Sequence, residues 1–431
     1  MPLLSHPLPP YSGSYPVGAI DLEVPCTPRT FSNARLRDGE VAVQLETWPA
    51  GPISLLGRGY ARFARTDSFV VRSVCTAVLW LFAGRTTIPA EVDVPLYGTP
   101  APENSPTTDD PNPGGVNGPG GNRFPVIIFS HGMASTRTNY SHFLGELASR
   151  GNVVVAIEHR DGSGPGSVVH RADGTAHTVI HFDSGSVHLV VPGVDALKRL
   201  QLAFREAEVE ETVSILRTIN KGRGEKVYQS NTHPSGEGRT LSIVGGGGWA
   251  GRLDMEKVVI AGHSFGATLA LQTLRPGYPV AFKGAILLDL GKRSGPLNSH
   301  IRPGVPMIIA HSQSWTDGRS VQGPFHGSTS HFQAVEDLVR KVNREEKGAA
   351  WFVTVMGTTH ASVTDALLIQ PVFSCRWILG PATGDARDGV EKFARVSSEF
   401  LGWLGDGDKR AYETLSEDGR DWVVHVAPKQ T

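Results

Sequence analysis

The stretch Lys257 to Leu274, KVVIAGHSFGATLALQTL, constrains this chain more than any other. Val258, Val259 and Ile260 are consecutive apolar β-branched residues and predict a buried strand. Gly262-His263-Ser264-Phe265-Gly266 follows as a G-x-S-x-G, and Ala267 to Leu274 predicts a buried helix. A strand running through a tight turn into a helix is the setting of a nucleophile elbow, where the turn exposes a serine hydroxyl. The flanking residues must be small because strand and helix pass close together. The bland alternative is a glycine-rich turn in an α/β domain that hydrolyses nothing.

Around this stretch, strand patterns alternate with helical ones. Tyr15-Pro-Val-Gly18, followed by Asp21 and Leu22, predicts an extended opening strand. FPVIIF at 124–129 predicts a second, ending in Ser130-His131-Gly132-Met133, and a helix follows from about Asn139 to Ser149. Val153 to Ile157 is the next strand, ending in Glu158-His159-Arg160-Asp161. Residues 162–190 are polar and glycine-rich and read as an excursion over the sheet. Asp195 to Asn220 predicts a long helix with Val209, Val213 and Leu216 on one face. Beyond the elbow come strands at Lys283 to Leu288, Pro306 to Ala310 and, last, Ala350 to Met356. Helices are predicted at Gln333 to Glu346 and, closing the chain, Glu391 to Leu404. Such alternation implies a mostly parallel central sheet with helices on both faces. The fold class is α/β, with one domain over 1–431, an N-terminal extension to about residue 67 and insertions at about 99–123 and 221–251. The first insertion, TPAPENSPTTDDPNPGGVNGPGG, is low-complexity and buries too little to fold. The Gly245–Gly248 run in the second reads as a loop rather than a phosphate cradle, since no Lys-Ser/Thr follows it.

The formal net charge of −1 gives no reason to expect nucleic acid or an acidic partner. Three scattered cysteines, Cys26, Cys75 and Cys375, make no disulfide framework, so a reducing compartment is the default. MPLLSHPLPPYSG lacks the basic and apolar regions of a signal peptide, which predicts a cytoplasmic location. No stretch reaches the roughly 18 apolar residues of a membrane span. FVVRSVCTAVLWLFAG, Phe69 to Gly84, is apolar nearly all round, with Val71, Val74, Val78 and Leu81 at helical spacing. It is either a buried helix, as short apolar helices usually are, or a helix lying on a lipid interface with Trp80 and Phe82 at the headgroups.

In the α/β-hydrolase arrangement the catalytic triad runs Ser, acid, His along the chain, each at the C-terminal end of a strand. Ser264 is the candidate nucleophile. His360, after the Ala350 strand, is the candidate base that takes its proton. The acid must hold the imidazole's tautomer and stabilise the imidazolium. Asp289 and Asp317 compete. Asp289 is preferred because its strand places it rigidly, whereas Asp317 lies in a polar loop beyond the next strand. His311 also ends a strand, but nothing places it in the triad order. The oxyanion needs two backbone N–H donors, one at Phe265 and one, most simply, at Met133. No H-E-x-x-H or comparable spacing appears, so neither a metal nor a cofactor is expected.

With these pieces in place, the chain resembles the platelet-activating-factor acetylhydrolase family of serine phospholipases. The resemblance rests on TTIPA at 86–90, FSHG-M at 129–133 with Arg137-Thr138, AIEHRD at 156–161, GHSFGAT at 262–268 with Gln272-Thr273-Leu274, LLD at 287–289, and His360. These fall between about residues 15 and 380. The resemblance implies Ser264, Asp289 and His360 as the triad and Phe265 and Met133 as oxyanion donors. It implies hydrolysis of short or oxidised sn-2 acyl esters of phospholipids. It also implies a peripheral lipid contact through Val74, Val78, Leu81 and Phe82, with Leu367, Leu368 and Ile369 after the histidine. The chain departs from the family pattern at Ala267, where Gly is usual, and in its longer insertions. A general carboxylesterase and a catalytically silent lipid-binding module are the alternatives.

Overall fold

The apolar runs at 124–130, 258–263, 284–288, 307–312 and 350–355 are buried along nearly their whole length, which is what a parallel sheet covered on both faces requires, while those at 153–157 and 422–426, at its edges, are half-buried. In the computed structural model they form one sheet: β1 (Phe124–Ser130), β2 (Val153–Ile157), β3 (Leu253–His263), β4 (Gly284–Leu288), β5 (Met307–Ser312), β6 (Ala350–Val355) and β7 (Trp422–Val426). The structure describes residues 4–25, 35–36, 52–99, 123–182, 187–188, 194–232, 248–292, 294, 297, 300–302, 304–317, 331–345, 347–369 and 385–429. The low-complexity insertion except its ends, Gly245–Gly247, Cys26 and Cys375 lie outside them. The spatial order is β7-β6-β5-β4-β3-β1-β2, parallel except for the antiparallel edge pair β6–β7.

Among the described residues the α-helices are α1 (Ile53–Phe63), α2 (Phe69–Ala83), α3 (Ser141–Ala148), α4 (Val194–Thr218), α5 (Gly224–Gln229), α6 (Phe265–Thr273), α7 (Gln313–Asp317), α8 (His331–Val342), α9 (Ala366–Ile369), α10 (Ala386–Asp406) and α11 (Lys409–Ser416). Successive strand residues point to opposite faces, and the core divides accordingly. Val126, Ile128, Val258, Ile260, Ala285 and Leu287 meet Val209 and Val213 of α4, Leu269 of α6 and Leu338 of α8. Ile127, Phe129, Val259, Ala261, Ile286 and Leu288 meet Phe143 of α3 and Phe393 and Phe400 of α10. Each fully buried aliphatic or aromatic side chain contributes on the order of 1.5–3 kcal/mol.

The topology fixes where chemistry can occur. The chain leaves β1 for β2 on one side and then returns to lay β3 on the other. The crevice beyond the C-terminal ends of β1 and β3 is therefore a topological switch point, where α/β sheets bind ligands.

Four expectations need correction. Ala350–Val355 is not the last strand and α10 does not close the chain: α11 and β7 follow, and β7 pairs the edge of β6. The polar excursion after β2 contains an antiparallel hairpin, Gly166–His170 with Ala176–Ile180. The second insertion begins as helix α5, whose Val227 packs with Ile219 against Ile20, Leu22 and Val24. The opening segment supplies only Gly18–Ala19, paired with Glu91–Val92 away from the central sheet. Polar composition hid the hairpin and the helix because their apolar residues are too few to give a periodic signal.

Candidate active site

Ser264 joins β3 to α6 with φ 57° and ψ −116°, a strained conformation for a side chain with a Cβ. The surroundings hold it there. Its N–H donates to Leu288 O at 2.9 Å. A Cβ on Gly262 would lie 2.3 Å from Gly266 O, and one on Gly266 would lie 2.0 Å from Ser130 O. Both glycines of the motif are thus steric necessities. The half-buried serine is left at the switch point with its side chain outside the helix it precedes.

Asp289 follows β4, also at positive φ, 46°, and is buried. One carboxylate oxygen accepts the Ser312 N–H; the other accepts Ser312 Oγ at 2.7 Å and His360 Nδ1 at 2.8 Å. A carboxylate can only accept, so His360 carries a proton on Nδ1 and has Nε2 turned away from Asp289. The imidazole is one-third exposed and stacks on Trp315, ring centroids 4.0 Å apart and planes 11° apart. Trp315 is itself held: its indole N–H donates to Leu290 O at 3.0 Å, and Lys292 Nζ donates to Trp315 O at 2.7 Å. His263 lies against the other side of the site, 4.4 Å from the His360 ring. Burial pushes its pKa well below the ordinary histidine value, and Tyr140 Oη binds its Nδ1 at 2.9 Å. Ligand atoms of His263, Asp289 and His360 fall within 4.8 Å of one another, a spacing a metal could use. Asp289 spends its oxygens on hydrogen bonds to Ser312 and His360, and His263 spends Nδ1 on Tyr140 Oη, with Nε2 standing 4.0 Å from Asp289 Oδ2.

Of the competing acids, Asp289 is the one bonded to His360. Asp317 ends α7 exposed to solvent. His311 is buried beneath the site, its ring parallel to that of His331 at 5.6 Å. Gly132 packs beside the nucleophile: a Cβ there would lie 3.3 Å from Ser264 Cβ. Its N–H donates to Tyr140 Oη at 3.1 Å, and Met133 follows it in the chain.

Sequence reasoning missed the support beneath this loop. Arg205 of α4 is fully buried and donates to Asp161 Oδ2 (2.7 Å), His131 O (2.7 Å), Ser130 Oγ (3.2 Å) and Ser163 Oγ. Its guanidinium also lies 4.7 Å from the Phe265 ring centroid. His159 bonds Ser130 Oγ at 2.7 Å and Glu208 of α4. Burial raises Glu158 and Glu208 to about 8 and drives His131 and His159 well below their usual value. AIEHRD is thus a buried polar network. A signal was available: Leu202, Arg205, Val209, Val213 and Leu216 recur at helical spacing, which puts Arg205 in the apolar stripe, where an arginine needs partners.

The proposed lipid contacts divide. Helix α2 has no buried residue; Phe69, Val70, Val74 and Trp80 are 82%, 67%, 55% and 47% exposed. The buried-helix reading is therefore wrong for α2. Val78, Leu81 and Phe82 are half-buried. Leu367 is core, 1% exposed, and so is not free to meet lipid, whereas Leu368 is half-buried against the α3–α10 side of the sheet. Val78 and Phe82 share a cavity of about 1960 Å³ with Ala366 and Ile369, lined by none of Ser264, Asp289 and His360.

Residues 113–409 match the family described as platelet-activating factor acetylhydrolase, isoform II. The chain is 27% identical over 252 residues to a platelet-activating factor acetylhydrolase of Bos taurus, covering 57% of this chain and 49% of that one. It is 32% identical over 276 residues to the protein of the same name from Cavia porcellus, covering 63% and 53%. It therefore spans about half the length of these relatives. Among solved structures, a ferulic acid esterase from Streptomyces cinnamoneus superposes with a TM-score of 0.51 at 15% identity, covering 98% of this chain and 99% of that one, a likeness of fold.

Proposed function

The chain belongs to the platelet-activating factor acetylhydrolase, isoform II, family, and from that premise we propose that it is a serine-dependent carboxylic ester hydrolase acting on phospholipids. The substrate is a phospholipid with an acetyl, other short or oxidised sn-2 acyl group. One observation carries the reading: the His360 Nδ1–Asp289 bond of 2.8 Å beside a serine held on a strained turn. His360 Nε2 takes the Ser264 proton as Oγ attacks the ester carbonyl. The N–H groups of Phe265 and Met133 stabilise the oxyanion. His360 returns the proton to the departing lysophospholipid oxygen, leaving an acyl-serine. Water, deprotonated by the same imidazole, then releases the short acid and restores the serine. Asp289 holds the Nδ1–H tautomer and offsets the imidazolium charge throughout. The protein works at the surface of a lipid aggregate in a reducing compartment. Among the described residues no helix is long and apolar enough to cross a membrane.

Ser264→Ala is expected to lower turnover by several orders of magnitude, and an organophosphonate to label Ser264 alone. Full activity in Ser264→Ala, or loss on chelation alone, rejects the reading. Hydrolysis of p-nitrophenyl acetate, a 2-acetyl ether phospholipid and a long-chain phosphatidylcholine, compared side by side, separates this enzyme from a general carboxylesterase and from an inactive lipid-binding module.

A further inference from the structure

The His131–Ala134 loop brings three successive peptide groups past the nucleophile, and the structure pins each of them. The His131–Gly132 peptide is held at both ends, by Arg205 Nη1 on His131 O at 2.7 Å and by Gly132 N–H on Tyr140 Oη at 3.1 Å. The Met133–Ala134 peptide is held by Ala134 N–H on Ser163 O at 2.8 Å, with Ala134 at φ 53°. The Gly132–Met133 peptide between them is the one whose N–H serves the oxyanion, and it is held through its carbonyl: His131 Nδ1 lies 2.8 Å from Gly132 O. In a trans peptide the C=O and N–H point in opposite directions across one rigid plane. Fixing Gly132 O therefore fixes the direction of the Met133 N–H.

The arrangement works for only one form of the ring. A carbonyl accepts and never donates, so Nδ1 must carry the proton. The other nitrogen agrees independently: His131 Nε2 accepts the backbone N–H of His159 at 3.1 Å, so it must be bare. Glu158 Oε1 stands 3.5 Å from that nitrogen, and burial, which raises the carboxyl to about 8 and lowers the imidazole, keeps the pair neutral.

We infer that His131 is a positioning residue that, through its Nδ1–H tautomer, orients the Gly132–Met133 peptide so that Met133 N–H meets the oxyanion. The inference rests on the serine-hydrolase reading above. It separates His131 from the triad, because the ring is fully buried and touches the reacting atoms only through the peptide it holds. It also gives AIEHRD a part in catalysis: the His159 amide sets the tautomer from below.

The test is a split between kcat and KM. His131→Leu is expected to lose roughly 10²-fold in kcat, the effect of one misplaced oxyanion donor. KM should stay within roughly threefold, since the ester's ground state makes little use of that donor. Affinity for a trifluoromethyl ketone, which Ser264 Oγ converts to a hemiketal oxyanion, should fall in parallel with kcat/KM. His131→Asn, whose amide N–H can stand where Nδ1 stood, should keep about tenfold more kcat than His131→Leu. Ring ¹⁵N NMR of wild-type protein should find His131 as the Nδ1–H tautomer from about pH 6 to about pH 9. Unchanged kcat in His131→Leu, a loss of kcat without a loss of ketone affinity, or an Nε2–H ring in the wild type overturns the inference; the last needs no variant to fold. Ser264→Ala, run alongside, isolates the failures. If it stays active, the hydrolase reading itself falls; if it is dead while His131→Leu is intact, only this inference does.

Discussion

At Ser264 the backbone is bent where an L side chain is strained, and it is not alone. Six non-glycine residues among those described have positive φ, and Ala134, Ser264 and Asp289 are three of them. Each such position costs on the order of 1–3 kcal/mol, so their gathering around one crevice indicates strain kept for function. Asp289 illustrates how it is held: its amide donates to Ala310 O at 2.9 Å while its carboxylate takes both Ser312 donors, leaving the third hydrogen bond for His360. Asp289→Asn would offer His360 a donor in place of an acceptor and favour the wrong tautomer. Turnover is expected to fall about 10⁴-fold, against little change in Asp317→Asn. Steady-state kinetics on the 2-acetyl phospholipid decides it; the reverse ranking would move the acid to Asp317.

Among the elements, α2 departs furthest from the rest. The long helices α4, α8 and α10 bury an apolar stripe, whereas α2 is apolar nearly all round and buries nothing completely. It is attached through α1: a Cβ on Gly57 would lie 2.2 Å from Thr76 Oγ1, so the two helices touch backbone to side chain at that glycine. Phe69, Val70, Val74 and Trp80 are left exposed to solvent. Exposed apolar surface of this kind is unfavourable in water and favourable against lipid, where each side chain contributes on the order of 1.5–3 kcal/mol of partition. We propose α2 as the interfacial contact, since its apolar residues are the exposed ones. Val74→Glu combined with Trp80→Glu is expected to weaken sedimentation with phosphatidylcholine vesicles and to leave p-nitrophenyl acetate hydrolysis close to wild type. Wild-type sedimentation of the double variant would place the lipid contact elsewhere. Loss of ester hydrolysis with loss of helical circular dichroism would make the face structural.

For the molecule as a whole, the buried ionisable groups predict a two-sided pH dependence. Glu158 and Glu208 titrate at about 8 when folded, against roughly 4.3 for an unfolded glutamate. An acid whose folded pKa is raised contributes stability below the unfolded value and loses it as pH rises through the folded one. Burial lowers His131, His159, His263 and His311 instead, so the stability they allow is present above about 6.5 and drains away as pH falls. Thermal unfolding of Glu158→Gln beside wild type isolates the first arm. The Tm difference is expected to move in the variant's favour between about pH 5 and about pH 9 and to be flat below about pH 4. A difference independent of pH would mean that Glu158 is ionised at its ordinary value.

What the amino-acid order determined by itself was everything written in local spacing. The run Val258–Ile260, the two motif glycines and the small residues after Ser264 fix strand, turn and helix through contacts only a few residues apart. The order Ser264, Asp289, His360 then follows the strand ends. Tertiary structure decided what depends on distance across the fold. Which acid reaches His360 was settled by a strand neighbour, Ser312, that orients the Asp289 carboxylate. Whether α2 and Leu367 are core or surface was settled by what packs on them, since an apolar residue has the same composition in either place. The Arg205 and His131 network was least legible, because its hydrogen bonds join α4 and the loops after β1 and β2 to one another across 28 to 75 positions of sequence. No periodicity records a partner that far away; only the folded chain brings it to 2.7–3.2 Å.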